Sequence, residues 1–451
     1  MTENPTESRL LGTLSDALDL GPSDHVRFTN RGTLTSAFAV NELAAASVAV
    51  AGLAASRLLE GVADAATDVT VDRARATAWF GAALAPVGWR LPSPWDALAG
   101  DYESADGWIR LHTNAPRHRA VAVAVLGVGS GADRAAVADA VRRRSGDELE
   151  HAVVAAGGCA AVMRSAGEWA QHPQGRALSS ERLVLRERGE TTRPSARWLP
   201  TPTSPLAGVR VLDLTRVLAG PVATRFLAGL GADVLRVDPP DWNEPAVTPE
   251  MTLGKRSARV DATTTVGLDA LERLVAGADV VVHGYRPGAL EHLVSEERRR
   301  ELRPGLVEVA LDAYGWSGPW RDRRGFDSLV QMSSGIAEAG MRWAGAERPV
   351  PLPVQALDHS TGYLAAAAAL VGLDGVRRSG EGSRARVSLA RVAAELLGTE
   401  SSSGEAAEVA TAEIVTPWGA ATVLEPPVVV GEARLTWQRG PTELGSDEPR
   451  W

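Results

Sequence analysis

The stretch from Pro205 to Pro239, PLAGVRVLDLTRVLAGPVATRFLAGLGADVLRVDP, constrains the fold more than any other part of this chain. Val209–Leu214 has the apolar run of a short buried strand, Val217–Pro221 is an uncharged turn, and Val222–Leu230 is an apolar helix. Gly231-Ala232-Asp233 stops that helix ahead of a second strand, Val234–Asp238. Strand, turn, helix and strand within about 30 residues make one βαβ unit, which requires a parallel sheet. The turn at the carboxyl end of the first strand is where such sheets take ligands, because backbone N–H groups and a helix N-terminus converge there.

The alternation continues, with strands near 279–283 and 306–311 and helices near 267–276 and 288–301. A strongly apolar helix, Leu364–Leu373, then precedes a strand at Ala385–Leu389 and a helix through Leu397. This is the pattern of an α/β fold with a doubly wound, Rossmann-like parallel sheet. The first half differs. Two Ala-rich helical stretches, Val40–Leu59 and Val71–Leu84, lead to a turn and short strand at Asp106–His112 and to helices at Arg117–Leu126, Arg134–Arg144 and Asp147–Ala156. The expected division is a partial, degenerate repeat of the large domain's helical part over 1–90, a small α/β domain over 91–178, a linker over 179–204 and the large domain over 205–451. The repeat rests on residues 43–81, which parallel 364–398. Residues 401–414 read as flexible.

With 451 residues the chain can bury two or three cores. A formal charge of −9 argues against general nucleic-acid binding. No apolar run reaches the ~20 residues that span a bilayer. The polar N-terminus does not resemble a secretory signal, so a cytoplasmic location is expected. Cys159 is the one cysteine, which excludes a disulfide framework and a thiolate metal cluster. Lys255 is the one lysine among 47 Lys and Arg, and it sits in Gly254-Lys255-Arg256-Ser257, a concentration of positive charge suited to anionic groups.

VLDLTRVLAGPVAT and LGADVLRVDPP resemble the opening of the family III CoA-transferases, which include formyl-CoA and carnitine CoA-transferases and α-methylacyl-CoA racemases. Residues 205–398 resemble the first half of such proteins and 35–180 the second half, so the halves stand in reversed order. The resemblance implies acyl-CoA and a small carboxylic acid as substrates, no permanently bound cofactor, no metal, and a homodimer that is interlocked in the family. It makes Val217, Leu218 and Ala219 the CoA-facing turn. Lys255 and Arg256, matching the end of the family's N-R-x-K-R-S, would meet CoA phosphates. His283–Leu293, HGYRPGALEHL, is similar to E-N-F-R-P-G-x-L-x-R-L and assigns Tyr285, Arg286 and Ala289 to CoA. Without that resemblance Tyr285 reads as an amphipathic surface tyrosine.

Asp358, in QALDHSTG ahead of the Leu364–Leu373 helix, matches the family's D-x-x-T-G segment. By spacing alone it caps the helix; by resemblance it is the catalytic nucleophile, kept ionised by the helix N-terminus. The implied chemistry is an aspartyl anhydride followed by an aspartyl-CoA thioester. Glu42, at the matching place in the first repeat, reads as a first-turn acid. Racemases carry a His where this chain has Phe326, and a phenyl ring exchanges no proton. Asp327 reads as a cap of the helix that follows it. Gly127–Ala132 fits a relaxed GxGxxA fingerprint, but its preceding segment reads as well for helix as for strand. Leu218, Pro239 and Gly284 replace polar or basic residues of the family, which supports a second reading, an accessory acyl-CoA-binding protein completed by a partner subunit.

Overall fold

The computed structural model describes residues 4–60, 67–191, 198–286, 288–405 and 407–451. Pro287, in the Pro287-Gly288 turn, and the middle of the 179–204 linker lie outside the described residues. The centre of the fold is a seven-stranded sheet. Its spatial order is Lys255–Arg259, Asp233–Asp238, Arg210–Leu214, Val280–His283, Val307–Asp312, Glu381–Ser388, Leu185–Thr191. The first six strands are parallel and the last is an antiparallel edge. In chain order the parallel strands run 3-2-1-4-5-6, the doubly wound arrangement, with its switch point between Arg210–Leu214 and Val280–His283.

Two long helices cover one face. Ala356–Ser379 and Val40–Leu59 lie side by side, joined inside the core by the hydroxyls of Ser360 and Ser47 at 2.7 Å. Alanine on both helices lets their backbones approach, so one hydrophobic core runs from Leu10 to Leu435 and takes in both. Val40–Leu59 is long and apolar enough to cross a membrane, against the sequence expectation, but 89% of that window is buried inside the fold. Each helix is followed by a strand and a second helix, Val69–Asp72 with Arg73–Gly81 and Glu381–Ser388 with Leu389–Leu397. The predicted helix 71–84 is thus shorter and opens on a strand, because Asp72 accepts the Arg75 N–H and caps Arg73–Gly81. Ser388 caps its counterpart through the Arg391 N–H.

The small domain has a three-stranded antiparallel sheet, Gly100–Glu103, Trp108–Leu111 and Ala160–Val162, and its own core around Tyr102, Ile109, Val137 and Leu149. It docks on the Asp327–Ser334 helix through Cys159, Ala161 and Leu329, with Phe326 at the margin. Gly127, in the GxGxxA stretch, is the left-handed C-cap of the Pro116–Leu126 helix, so no strand feeds that turn. Three other segments depart from expectation. The linker contains the edge strand Leu185–Thr191, whose charged residues disguise it. Residues 401–414 lead into the strand Thr411–Thr416, and the 288–301 helix is confined to Glu296–Leu302, capped by Ser295.

Candidate active site

The switch-point crevice opens between the loop after Arg210–Leu214 and the loop after Val280–His283. Val217, Leu218 and Ala219 form one lip; Tyr285, Arg286 and Ala289 form the other. The two are linked by Arg216, whose guanidinium lies over the rings of Trp242 (4.6 Å) and Tyr285 (5.4 Å) and reaches the Tyr285 hydroxyl at 3.5 Å. Arg216 directly precedes the quoted turn, yet nothing in the sequence singled it out from the many arginines.

Val217 has φ +65°, a left-handed conformation that a β-branched residue adopts only under constraint. The constraint is visible. Glu244 accepts the Val217 N–H at 3.0 Å and the Trp242 indole N–H at 3.1 Å, and it is paired with fully buried Arg236. Arg236 in turn holds Asp238 at 2.8 Å. The strain turns the chain so that the Ala219–Gly229 helix starts at once. Gly220 is required there, since a Cβ would lie 2.2 Å from the Thr215 Cβ. Leu218, the N-cap, offers no side-chain acceptor, so the first-turn N–H groups of Ala219 and Gly220 have no capping oxygen.

Behind the turn, Asp213 is fully buried and accepts from Thr215, Thr224 (2.6 Å) and Lys255 (3.0 Å). Lys255 is 1% exposed and also donates to the Pro221 carbonyl and the Thr224 hydroxyl. Its three hydrogens are therefore used inside the protein, and burial pushes it down to about 8 against the pull of Asp213. This corrects the assignment of Lys255 to CoA phosphates: it is an internal tether. Arg256 is also corrected. It makes a fork to Asp233 at 3.0 and 2.9 Å, beside the amino end of the sheet and away from the crevice.

Asp358 lies in the first turn of Ala356–Ser379, which begins eight residues before the predicted helix. It caps nothing. One helical turn later, Gly362 packs against the Ala219–Gly229 helix so closely that a Cβ would stand 2.5 Å from the Ala219 carbonyl oxygen. Asp358, four residues earlier, shares the helix face that carries Gly362. The cap of the helix comes from elsewhere: Asp327 Oδ2 accepts the N–H groups of both Leu357 and Asp358 at 2.9 Å. Asp327 therefore does not cap its own helix, which corrects the sequence reading. Burial and the neighbouring Asp327 carboxylate raise Asp358 well above the usual carboxylate range. The expectation of an Asp358 kept ionised by the helix end is overturned, because Asp327 already occupies that end.

Toward the small domain, Arg324 lies close to Arg286 and Arg117, and burial together with those two charges lowers its affinity for a proton. A Cβ on Gly157 would be 3.6 Å from an Arg117 terminal nitrogen and 3.8 Å from one of Arg324. Among the described residues none of the three forms an ion pair. Arg117 and Arg324 escaped the sequence reading because they come from different domains, 207 residues apart (324 − 117). A cleft of about 650 Å³ lies elsewhere, lined by Glu150, Arg164, His172, Trp320 and Arg323. Glu42 accepts a hydrogen bond from Asn4 at 3.0 Å.

A sequence model described as CoA-transferase family III matches residues 206–421. Among curated proteins, the probable fatty acyl-CoA transferase Rv3272 of Mycobacterium tuberculosis is 34% identical over 215 residues, covering 44% of this chain and 54% of that protein. The succinate–glutarate CoA-transferase of Agrobacterium fabrum is 32% identical over 222 residues, covering 45% of this chain and 55% of that one. The crystal structure of Rv3272 aligns with TM-score 0.38 at 34% identity, over 43% of this chain and 56% of that one. The chain thus spans about half the length of these relatives. Residues 206–421, which hold the switch point of the sheet, match CoA-transferase family III.

Proposed function

We propose that this protein moves CoA between carboxylic acids, with Asp358 as the acyl acceptor. The observation that supports this reading is the contact of Gly362, one helical turn after Asp358 on the same helix face, with Ala219 at the end of the strained turn. The Asp358 carboxylate attacks the thioester carbonyl carbon, a C–O bond forms, the C–S bond breaks and the electron pair leaves on the CoA sulfur. The thiolate then attacks the Asp358 acyl carbon and releases the first acid, giving an aspartyl-CoA thioester. The second acid's carboxylate attacks that thioester carbonyl and forms a mixed anhydride as the thiolate leaves again. Attack of the thiolate on the incoming acid's acyl carbon restores Asp358.

The chain's own groups suit these steps. The uncapped N–H groups of Ala219 and Gly220 are donors for developing negative charge. Three unpaired arginines that repel one another are stabilised by an anion, and a CoA phosphate supplies one. Arg216 and Tyr285 offer a cation and a ring between the lips. The parallel helix–strand–helix units at 40–81 and 356–397 support a tandem origin with the halves reversed and one copy lacking an aspartate.

The accessory reading is favoured by one observation, the 9% exposure of Asp358. A trapping experiment separates the two. Incubation with a panel of acyl-CoAs followed by hydroxylamine is expected to yield an Asp358 hydroxamate that is lost in Asp358→Asn. CoA binding without adduct from any donor would establish the accessory role instead.

A further inference from the structure

The Ala356–Ser379 helix receives its N-terminal cap from Asp327, across 31 residues of chain (358 − 327), and the capped N–H groups include that of Asp358 itself. The N-cap residue, Gln355, contributes no side-chain bond. Asp327 is fully buried and its other oxygen accepts from Gln331 Nε2 at 2.5 Å. Gln331 in turn accepts the Leu352 N–H at 2.7 Å, which fixes the strand of chain that enters the helix. A structural cap needs only a hydroxyl or an amide. A carboxylate here adds a second negative charge beside Asp358, which a purely structural site has reason to avoid.

We propose that Asp327 is a positioning residue for Asp358, fixing its main chain through the two N–H bonds and, by its charge, favouring the forms of Asp358 that carry no charge. This rests on the reading of Asp358 as the acyl acceptor. Of the forms Asp358 passes through, the acid, the anhydride and the thioester are neutral, and only the attacking carboxylate is an anion. When that carboxylate attacks the thioester, the negative charge moves from Asp358 to the CoA sulfur and away from Asp327. Like-charge repulsion therefore drives the transfer forward and makes the carboxylate, once formed, more basic and more nucleophilic. The cost is that Asp358 must first give its proton to solvent.

The other charged or titratable groups on packed elements do not reverse this. Burial pushes Asp327 up to about 6, against the hydrogen bonds from the Asp358 N–H, Gln331 and the Leu357 N–H and the weaker attraction of Arg110 on the small-domain strand Trp108–Leu111, all of which favour its ionised form. His112, stacked on Phe326 at 3.7 Å, and His359 are both pushed down to about 3 by burial, so they are neutral at pH 7. Arg225, from the Ala219–Gly229 helix, repels a proton on His359 rather than pairing with Asp358. Glu244 is engaged by Arg236 and Val217.

The test compares wild type with Asp327→Asn, which keeps an oxygen acceptor for Leu357 and Asp358 and removes the charge. Carbon-13 NMR of aspartate-labelled protein without substrate is expected to show a carboxyl, absent in Asp358→Asn, that titrates above the usual carboxylate range in wild type and at least one pH unit lower in Asp327→Asn. The pH profile of hydroxylamine-trapped adduct is expected to move its rising limb in the same direction. An unmoved resonance in a folded Asp327→Asn protein overturns the inference, whatever the activity. A shifted resonance with no adduct from any acyl-CoA upholds the coupling and instead overturns the reading of Asp358 as acyl acceptor. Gln331→Leu, which removes one donor to the Asp327 carboxylate but keeps the carboxyl itself, is expected to move the titration less than Asp327→Asn does.

Discussion

Lys255 donates to three acceptors in a site closed to water, so its replacement reads out whether it is a tether or a ligand for phosphate. Lys255→Met leaves Asp213 buried without its cation and is expected to cost about 3–5 kcal/mol in urea unfolding. The salt dependence of CoA binding by whatever remains folded should be unchanged. Arg324→Ala is expected to do the opposite, lowering CoA affinity about tenfold, or about 1.4 kcal/mol, with a small effect on stability. Isothermal titration measures both. At Asp358 the sign of the pH effect is fixed by its raised proton affinity. Above about pH 4 the unfolded chain releases a proton that the folded protein still holds, so this group's contribution to stability falls as pH rises toward the folded value. Asp358→Asn removes that loss, and its urea midpoint should exceed that of wild type by a margin that widens from pH 4 upward.

Between elements, the decisive contact is that of the Ala219–Gly229 and Ala356–Ser379 helices at Gly362. Gly362→Ala forces a methyl against the Ala219 carbonyl oxygen and the Val222 side chain, and is expected to destabilise by about 1–3 kcal/mol. On the proposed role of Asp358, adduct formation should fall further than stability, because Gly362 and Asp358 share one helix face. The small domain is held partly by His112 stacked on Phe326 with the rings 2° from parallel. Burial depresses His112 to about 3, so between pH 6.5 and 3 the unfolded chain gains a proton that the folded one refuses. Wild type should therefore lose stability relative to His112→Phe as pH falls through that window, measured by thermal melts. Alternating apolar patterns revealed most of these helices and strands. The strands Leu185–Thr191 and Lys255–Arg259 stayed hidden because they are rich in charge, and their register is set by neighbouring strands.

Over the whole molecule, the outer edge of the sheet at Lys255–Arg259 is closed by the segment 436–451. Asp447 exchanges hydrogen bonds with the main chain of Ser257, Trp437 stacks on Trp79 at 5.3 Å, and the Trp451 indole donates to the Leu274 carbonyl. Removing residues 436–451 should expose an unpaired strand and cause concentration-dependent aggregation, followed by light scattering. The sequence by itself determined the doubly wound sheet and the turn at its first strand, because local periodicity and glycine placement leave one backbone arrangement for such a segment. It also marked Asp358, by a motif contiguous in the chain. Only the tertiary structure decided the state of that aspartate, the burial of Lys255 and the gathering of Arg117, Arg286 and Arg324. Charge, solvation and capping depend on which distant groups arrive within a few ångströms, and that distance is a property of the packed fold, not of neighbours along the chain.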